Sequence, residues 1–73
     1  MVLYREQVIL GSRELVMEVH DGGRYLLRYG ELLEYRDGRK RVRGRWSAYA
    51  FRSVEQLRYD FEREMRREMR QLG

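Results

Sequence analysis

The chain predicts an α+β fold: an antiparallel β-sheet meander of four to five strands followed by one C-terminal amphipathic α-helix packed on one face. Three observations lead there. Apolar and charged residues alternate through much of residues 14–36, glycine-containing turn signals interrupt that alternation, and residues 54–72 switch to a helical period. The whole chain, 1–73, reads as one domain, with the sheet over about 2–51 and the helix over about 54–72.

Taken in order, Val8-Ile9-Leu10 ahead of Gly11-Ser12 suggests a short edge strand, and residues 1–7 fit either a strand or a helical turn, of which the strand is expected. Leu15, Met17 and Val19 then alternate with Glu14, Glu18 and His20, the pattern of a half-buried strand. Asp21-Gly22-Gly23 offers residues that tolerate positive φ. A turn there sets Val19 opposite Tyr25, Met17 opposite Leu27 and Leu15 opposite Tyr29, which keeps one face apolar. The following strand ends near Gly30-Glu31, and residues 32–36 run back. Asp37-Gly38 is the strongest hairpin signal, suited to a two-residue turn in which both residues take positive φ. It pairs Leu33 with Val42 and Glu34 with Arg41, giving an inner face of Leu33, Tyr35, Val42, Gly44 and Trp46 and an outer face of Arg41, Arg43 and Arg45. Ser53 opens the helix as an N-cap, with Gln56 placed to complete a capping box. Val54, Leu57, Phe61, Met65, Met69 and Leu72 form its apolar stripe, and Glu68 is the one flaw in it.

A chain of 73 residues builds a thin core. It contains no Cys and a single His, so disulfides and thiolate metal sites are excluded and no metal or other cofactor is expected. Self-association remains as a route to extra burial. No apolar run has the length of a membrane span, so a cytoplasmic location without membrane contact is the expectation.

Charge carries the clearest functional hint. The formal net charge is +4, with 16 Lys+Arg against 12 Asp+Glu. Residues 54–73 are balanced, whereas Arg36, Arg39, Lys40, Arg41, Arg43, Arg45 and Arg52 face Asp37 alone in residues 36–52. Arginines at 41, 43 and 45 on one strand would project about 7 Å apart along one face. That spacing suits a phosphate backbone, and guanidinium groups grip phosphate as flat bidentate donors. Tyr49 and Phe51 continue the face as rings on which bases could stack. The same residues have a plainer explanation, because Glu34 opposes Arg41 and cross-strand ion pairs stabilise sheets.

The remaining candidates point to binding rather than chemistry. Tyr25, Tyr29, Tyr35 and Trp46 are expected to fill the core. Val16, Leu26 and Leu32 are expected to cluster on the outer face among charges, a pattern suited to a homodimer or partner interface. His20 beside Asp21 is the one place where acid–base chemistry can be imagined, and no nucleophile stands next to it. Neither an enzyme activity nor a small-molecule substrate is expected.

The expected function is a small non-enzymatic binding domain engaging RNA or DNA through the Arg-rich hairpin. Contacts would be mostly to phosphate, so binding should weaken with salt, and replacing Arg41, Arg43 and Arg45 together should weaken it without disturbing the fold. The alternative is a protein-interaction or regulatory module using the exposed sheet face. Strand–helix proteins of this size occur among nucleic-acid-binding modules, toxin–antitoxin partners and phage-encoded inhibitors, and fold analogy does not choose among them.

Overall fold

The computed structural model describes residues 2–72, with side chains described up to residue 70. Six strands precede one helix: β1 (Val2–Leu10), β2 (Arg13–His20), β3 (Tyr25–Tyr29), β4 (Leu33–Arg36), β5 (Arg39–Val42), β6 (Arg45–Ala48) and α1 (Val54–Leu72). Each strand pairs antiparallel with the next, so the sheet order is the chain order, with β1 and β6 at the edges. The α+β meander is as the sequence predicts, with one or two strands more.

Local turn chemistry sets the registers. Asp21–Gly23 forms a short 3-10 turn with Gly22 and Gly23 at φ of 77° and 79°, and it pairs Val19 with Tyr25, Met17 with Leu27 and Leu15 with Tyr29. Asp37 and Gly38 take φ of 44° and 83°, as a two-residue primed turn requires, and Leu33 faces Val42 while Glu34 faces Arg41. These pairings match the alternation of the sequence.

One turn departs from expectation. Arg43 and Gly44 take φ of 51° and 84° and reverse the chain, so Val42 pairs with Arg45 and Arg41 with Trp46. The stretch read as one strand is therefore two. Reversal changes the parity of every residue after it: Arg45 and Ser47 fall on the helix side, and Trp46 moves to the outer face, where it is 43% exposed. The expectation that Trp46 fills the core is overturned by that parity change.

The inner face carries the core. Leu15, Met17, Val19, Tyr25, Leu27, Tyr29, Leu33 and Tyr35 meet Leu57 and Phe61 of α1, with Leu10, Leu32, Val42, Tyr49 and Met65 packed around them. Tyr35 stands at the centre, edge-on to Phe61 at 5.5 Å and to Tyr49 at 4.9 Å between ring centroids. Ser53 caps α1 through its Oγ, which accepts from the Gln56 amide at 3.1 Å. The reciprocal half of the box is absent, because the Gln56 side chain donates to Asp60 at 2.8 Å. Of the expected stripe, Leu57 and Phe61 are buried, Val54 and Met69 are exposed at its ends, and the Leu72 side chain lies outside the described residues.

Two residues thus anchor the helix to the sheet, and truncating either leaves a cavity that so small a core cannot close. Phe61→Ala is expected to cost about 3–5 kcal/mol and Leu57→Ala about 2–5 kcal/mol. Domains of this size have total stabilities of about 4–11 kcal/mol, so urea denaturation followed by circular dichroism should show Phe61→Ala largely unfolded before a clear baseline is reached. Val54→Ala, at the exposed start of the helix, should stay within about 0.5 kcal/mol of the parent.

Candidate nucleic-acid interface

The cations of residues 36–52 do not form one surface. They divide into a group that clamps the helix, a group on the outer face of the sheet, and Arg45 and Arg52, which belong to neither.

The clamp is met by three acids spaced four residues apart on α1. Asp60, Glu64 and Glu68 fall on one side of the helix, since a step of four returns close to the same face. Each meets a donor from the sheet or from the segment after β6. The Tyr49 hydroxyl donates to Asp60 Oδ2 at 2.6 Å. The Tyr35 hydroxyl and Lys40 Nζ both donate to Glu64 Oε1, at 2.6 and 2.9 Å. Arg43 donates to Glu68 Oε2 from Nε and Nη2, both at 2.8 Å. Glu68 is only 4% exposed, so the apparent flaw in the apolar stripe is a buried carboxylate that is charge-paired across the helix–sheet seam.

Three candidate ligand-binding residues are corrected by this arrangement. Arg43 sits in the turn, not on a strand, and is held by Glu68; Lys40 lies on the inner side, held by Glu64; Tyr49 turns inward onto Tyr35 and Asp60. Phe51 stacks on Tyr25 at 5.2 Å and stays partly exposed. The ladder of three arginines on one strand does not exist, because the primed turn at residues 43–44 ends the strand. A triple replacement of Arg41, Arg43 and Arg45 would also remove a helix clamp, so it is not neutral to the fold.

On the outer face, rows of paired residues run across the strands. One row carries Val16, Arg28, Glu34, Arg41 and Trp46; the next carries Glu18, Leu26, Arg36, Arg39 and Ala48. Arg28 pairs with Glu14 at 2.9 Å, and the nearly buried Glu34 accepts from Arg41 at 3.2 Å with Arg36 at 3.4 Å. Cross-strand pairing therefore holds much of this face. Arg39 and Arg41 place their guanidinium groups 5.1 and 5.6 Å from the centre of the Trp46 ring. Among the described residues, Arg39, Arg45 and Arg52 have no carboxylate within ion-pair distance. Arg39 shares the outer face with Trp46, whereas Arg45 is on the opposite side of the β6 edge and Arg52 is exposed in the segment leading to α1.

The expected apolar patch is also redistributed. Val16 is buried at 9% exposure between Gln7 and Arg28 of the flanking strands, and Leu26 is half-buried between Glu18 and Arg36. Leu32 is not on the outer face at all; it lies in the β3–β4 turn and packs against the core. Large exposed apolar side chains gather on β1 instead, at Val2, Leu3, Tyr4, Val8 and Ile9. Sequence reading missed this because no partner strand is visible from one edge alone.

At one end of the sheet, His20, Asp21, Arg24, Tyr25, Leu26, Arg36 and Asp37 line an open cleft of about 470 Å³. Its charges are mixed. His20 Nε2 lies 2.6 Å from Glu18, Arg24 lies 3.8 Å from Asp37, and the Tyr25 hydroxyl accepts from the Gly38 amide. The lining contains no Ser. Among the described residues no three His, Asp or Glu side chains gather where a metal could bind, and no helix is long and apolar enough to cross a membrane.

The clamp has a pH signature. Burial raises the Tyr35 hydroxyl far above its ordinary value, and its hydrogen bond to Glu64 adds to that; Tyr49 is raised by burial and by its bond to Asp60. Burial alone would raise Glu64, but the hydrogen bonds from Tyr35 and Lys40 outweigh it and leave the carboxyl below its ordinary value. A raised tyrosine contributes stability that is complete below the unfolded value of 10.0 and declines above it. A lowered carboxylate contributes stability that is complete above its unfolded value of 4.5 and is lost as the pH falls below it. Urea midpoints measured across pH should therefore hold between those limits and fall on both sides. Tyr35→Phe should reduce the alkaline fall and lower stability at neutral pH by about 1 kcal/mol.

No protein-family model matches the chain, and neither a curated protein nor a solved structure shows significant similarity to it.

Proposed function

We propose that this protein is a binding module for single-stranded nucleic acid, working through the outer face of β4, β5 and β6. Trp46 acts as the stacking ring, and Arg39 contacts phosphate beside it. The observation that carries this reading is the exposed Trp46 ring with two guanidinium groups over it on a solvent-facing sheet surface. The ring is accessible at its solvent side, and its arginine neighbours favour an anionic partner with a π-face. Bases supply the π-face and phosphates the charge.

Single strands suit this surface better than duplexes, since stacking on a side chain requires a base not already stacked between its neighbours. Because Arg41 and Arg36 already share Glu34, few phosphates would be neutralised at once. Affinity should be modest, with a shallow dependence on salt and little sequence preference. Arg45 and Arg52 lie off this face and would add only general attraction. The alternative, association with another protein chain, is favoured by a separate feature, the apolar β1 edge.

Trp46 is the sole tryptophan, so it reports on its own occupancy. Titration with oligo(dT) or oligo(U) of about 12 nucleotides should quench its fluorescence, with binding in the micromolar range at low salt. Trp46→Ala, followed by anisotropy of a labelled oligonucleotide, should weaken binding by about 1–3 kcal/mol. Arg39→Gln should weaken it less and make the slope of log affinity against log salt shallower by about 0.7. Unchanged Trp46 emission together with no salt-sensitive binding at low salt would overturn the assignment.

A further inference from the structure

A second interaction surface lies at the opposite edge of the sheet, and we propose that two copies of this chain pair there, β1 against β1, in antiparallel fashion about a twofold axis. This does not depend on the nucleic-acid reading, because β1 and the Trp46 face share no residue.

β1 is an unusual edge. It is nine residues long, and its outward backbone groups have no neighbouring strand. Edge strands are normally blunted by being short, by Lys or Pro, or by a bulge. β6 fits that rule with four residues that begin directly after the Arg43-Gly44 turn. β1 has neither Lys nor Pro, its charges are confined to Arg5 and Glu6 at its middle, and its one register shift lies at the far end, between Val2 and Tyr4. It also presents Leu3 at 62% and Ile9 at 66% exposure, with Val2, Tyr4 and Val8 exposed as well.

A second copy is the occupant that the sequence of β1 itself fits. For two identical antiparallel strands related by a twofold axis through the sheet, residues paired across the axis share a face, so the axis passes through a residue position. With the axis at Glu6, Tyr4 meets Val8 of the other copy, Leu3 meets its Ile9 and Arg5 meets its Gln7. Apolar residues then oppose apolar ones and polar oppose polar from Leu3 to Ile9, the register shift leaving Val2 outside the match. Moving the axis to Arg5 opposes two arginines and sets Leu3 against Gln7. Moving it to Gln7 sets Arg5 against Ile9 and Glu6 against Val8. Both alternatives lose apolar pairs and shorten the overlap.

The axial register brings two Glu6 carboxylates together, each accepting from the Tyr4 hydroxyl of its own copy at 2.7 Å. The Arg58 guanidinium lies over the Tyr4 ring at 5.6 Å and is itself bonded to Glu62 at 3.0 Å, so it adds positive charge near the axis without pairing directly with Glu6. Pairing also extends the apolar face beyond Tyr4, which already lines a small apolar groove with Met17, Val19, Val54 and Leu57.

Sedimentation velocity of the full chain from about 5 to about 500 µM should show a concentration-dependent dimer. Introducing Leu3→Lys with Ile9→Lys should raise the dissociation constant at least about tenfold while leaving the circular dichroism unchanged. Register is tested by cysteine, which the chain otherwise lacks. Glu6→Cys lies on the axis, where directly opposed residues stand about 4.5–5.5 Å apart between Cα atoms, within disulfide reach. It should oxidise to a covalent dimer, whereas Ile9→Cys should not. A monomer throughout that range, a dimer untouched by the two lysines, or cross-linking by Ile9→Cys as ready as by Glu6→Cys would each overturn the proposal.

Discussion

The line of Asp60, Glu64 and Glu68 along one side of α1 is the constraint on which the rest of the structure depends. Among the described side chains of the helix, Leu57 and Phe61 are the buried hydrophobic anchors, a narrow contact for a helix of 19 residues. The acids extend that contact past the apolar stripe, toward the β5–β6 end of the sheet, and each is met by a donor across the seam. Such contacts are directional, so they choose one helix orientation where apolar contact alone would tolerate several. They also account for a backbone conformation that is otherwise unfavourable. Arg43 adopts a left-handed φ at a cost of about 1–2 kcal/mol, and from that position its guanidinium reaches Glu68.

The clamp governs what is left for binding. A surplus of positive charge between residues 36 and 52 invites the assumption of a basic ligand surface, but Arg43 and Lys40 face the helix and Arg36 and Arg41 converge on Glu34. Net charge measures long-range attraction; it does not say which cations are available at contact distance. The outer face that remains is small and built around Trp46, and the same turn that brings Arg43 to Glu68 turns Trp46 outward. Anchoring the helix and exposing the ring are consequences of one reversal of the chain.

Much of the fold was legible because local signals agreed with the long-range pattern. Asp-Gly at 37–38 and Asp-Gly-Gly at 21–23, combined with alternation, placed Tyr25, Tyr29 and Tyr35 inside with the correct partners. The reversal at 43–44 was hidden because arginine is a poor residue for positive φ, and Gly44 alone fits a strand interior that passes close to another chain segment. That single miss moved Trp46 to the wrong face and created an arginine ladder. Glu68 was seen as a defect in the stripe because its counterion lies 25 residues away. The spacing of 60, 64 and 68 was in plain view, but it gains meaning only once Tyr49, Lys40 and Arg43 are known to face it.

The most direct measurement is a double-mutant cycle between Arg43 and Glu68, with Arg43→Gln, Glu68→Gln and the double variant compared by urea denaturation. If the clamp organises the fold, Arg43→Gln should cost about 1–3 kcal/mol, because it leaves the buried Glu68 carboxylate unsatisfied, and Glu68→Gln should cost less, because the Arg43 side chain it leaves is half exposed. The double variant should cost clearly less than their sum, with a coupling of at least about 1 kcal/mol. Additive losses, or an Arg43→Gln variant as stable as the parent, would contradict the account and return Arg43 to the pool of cations available to a ligand.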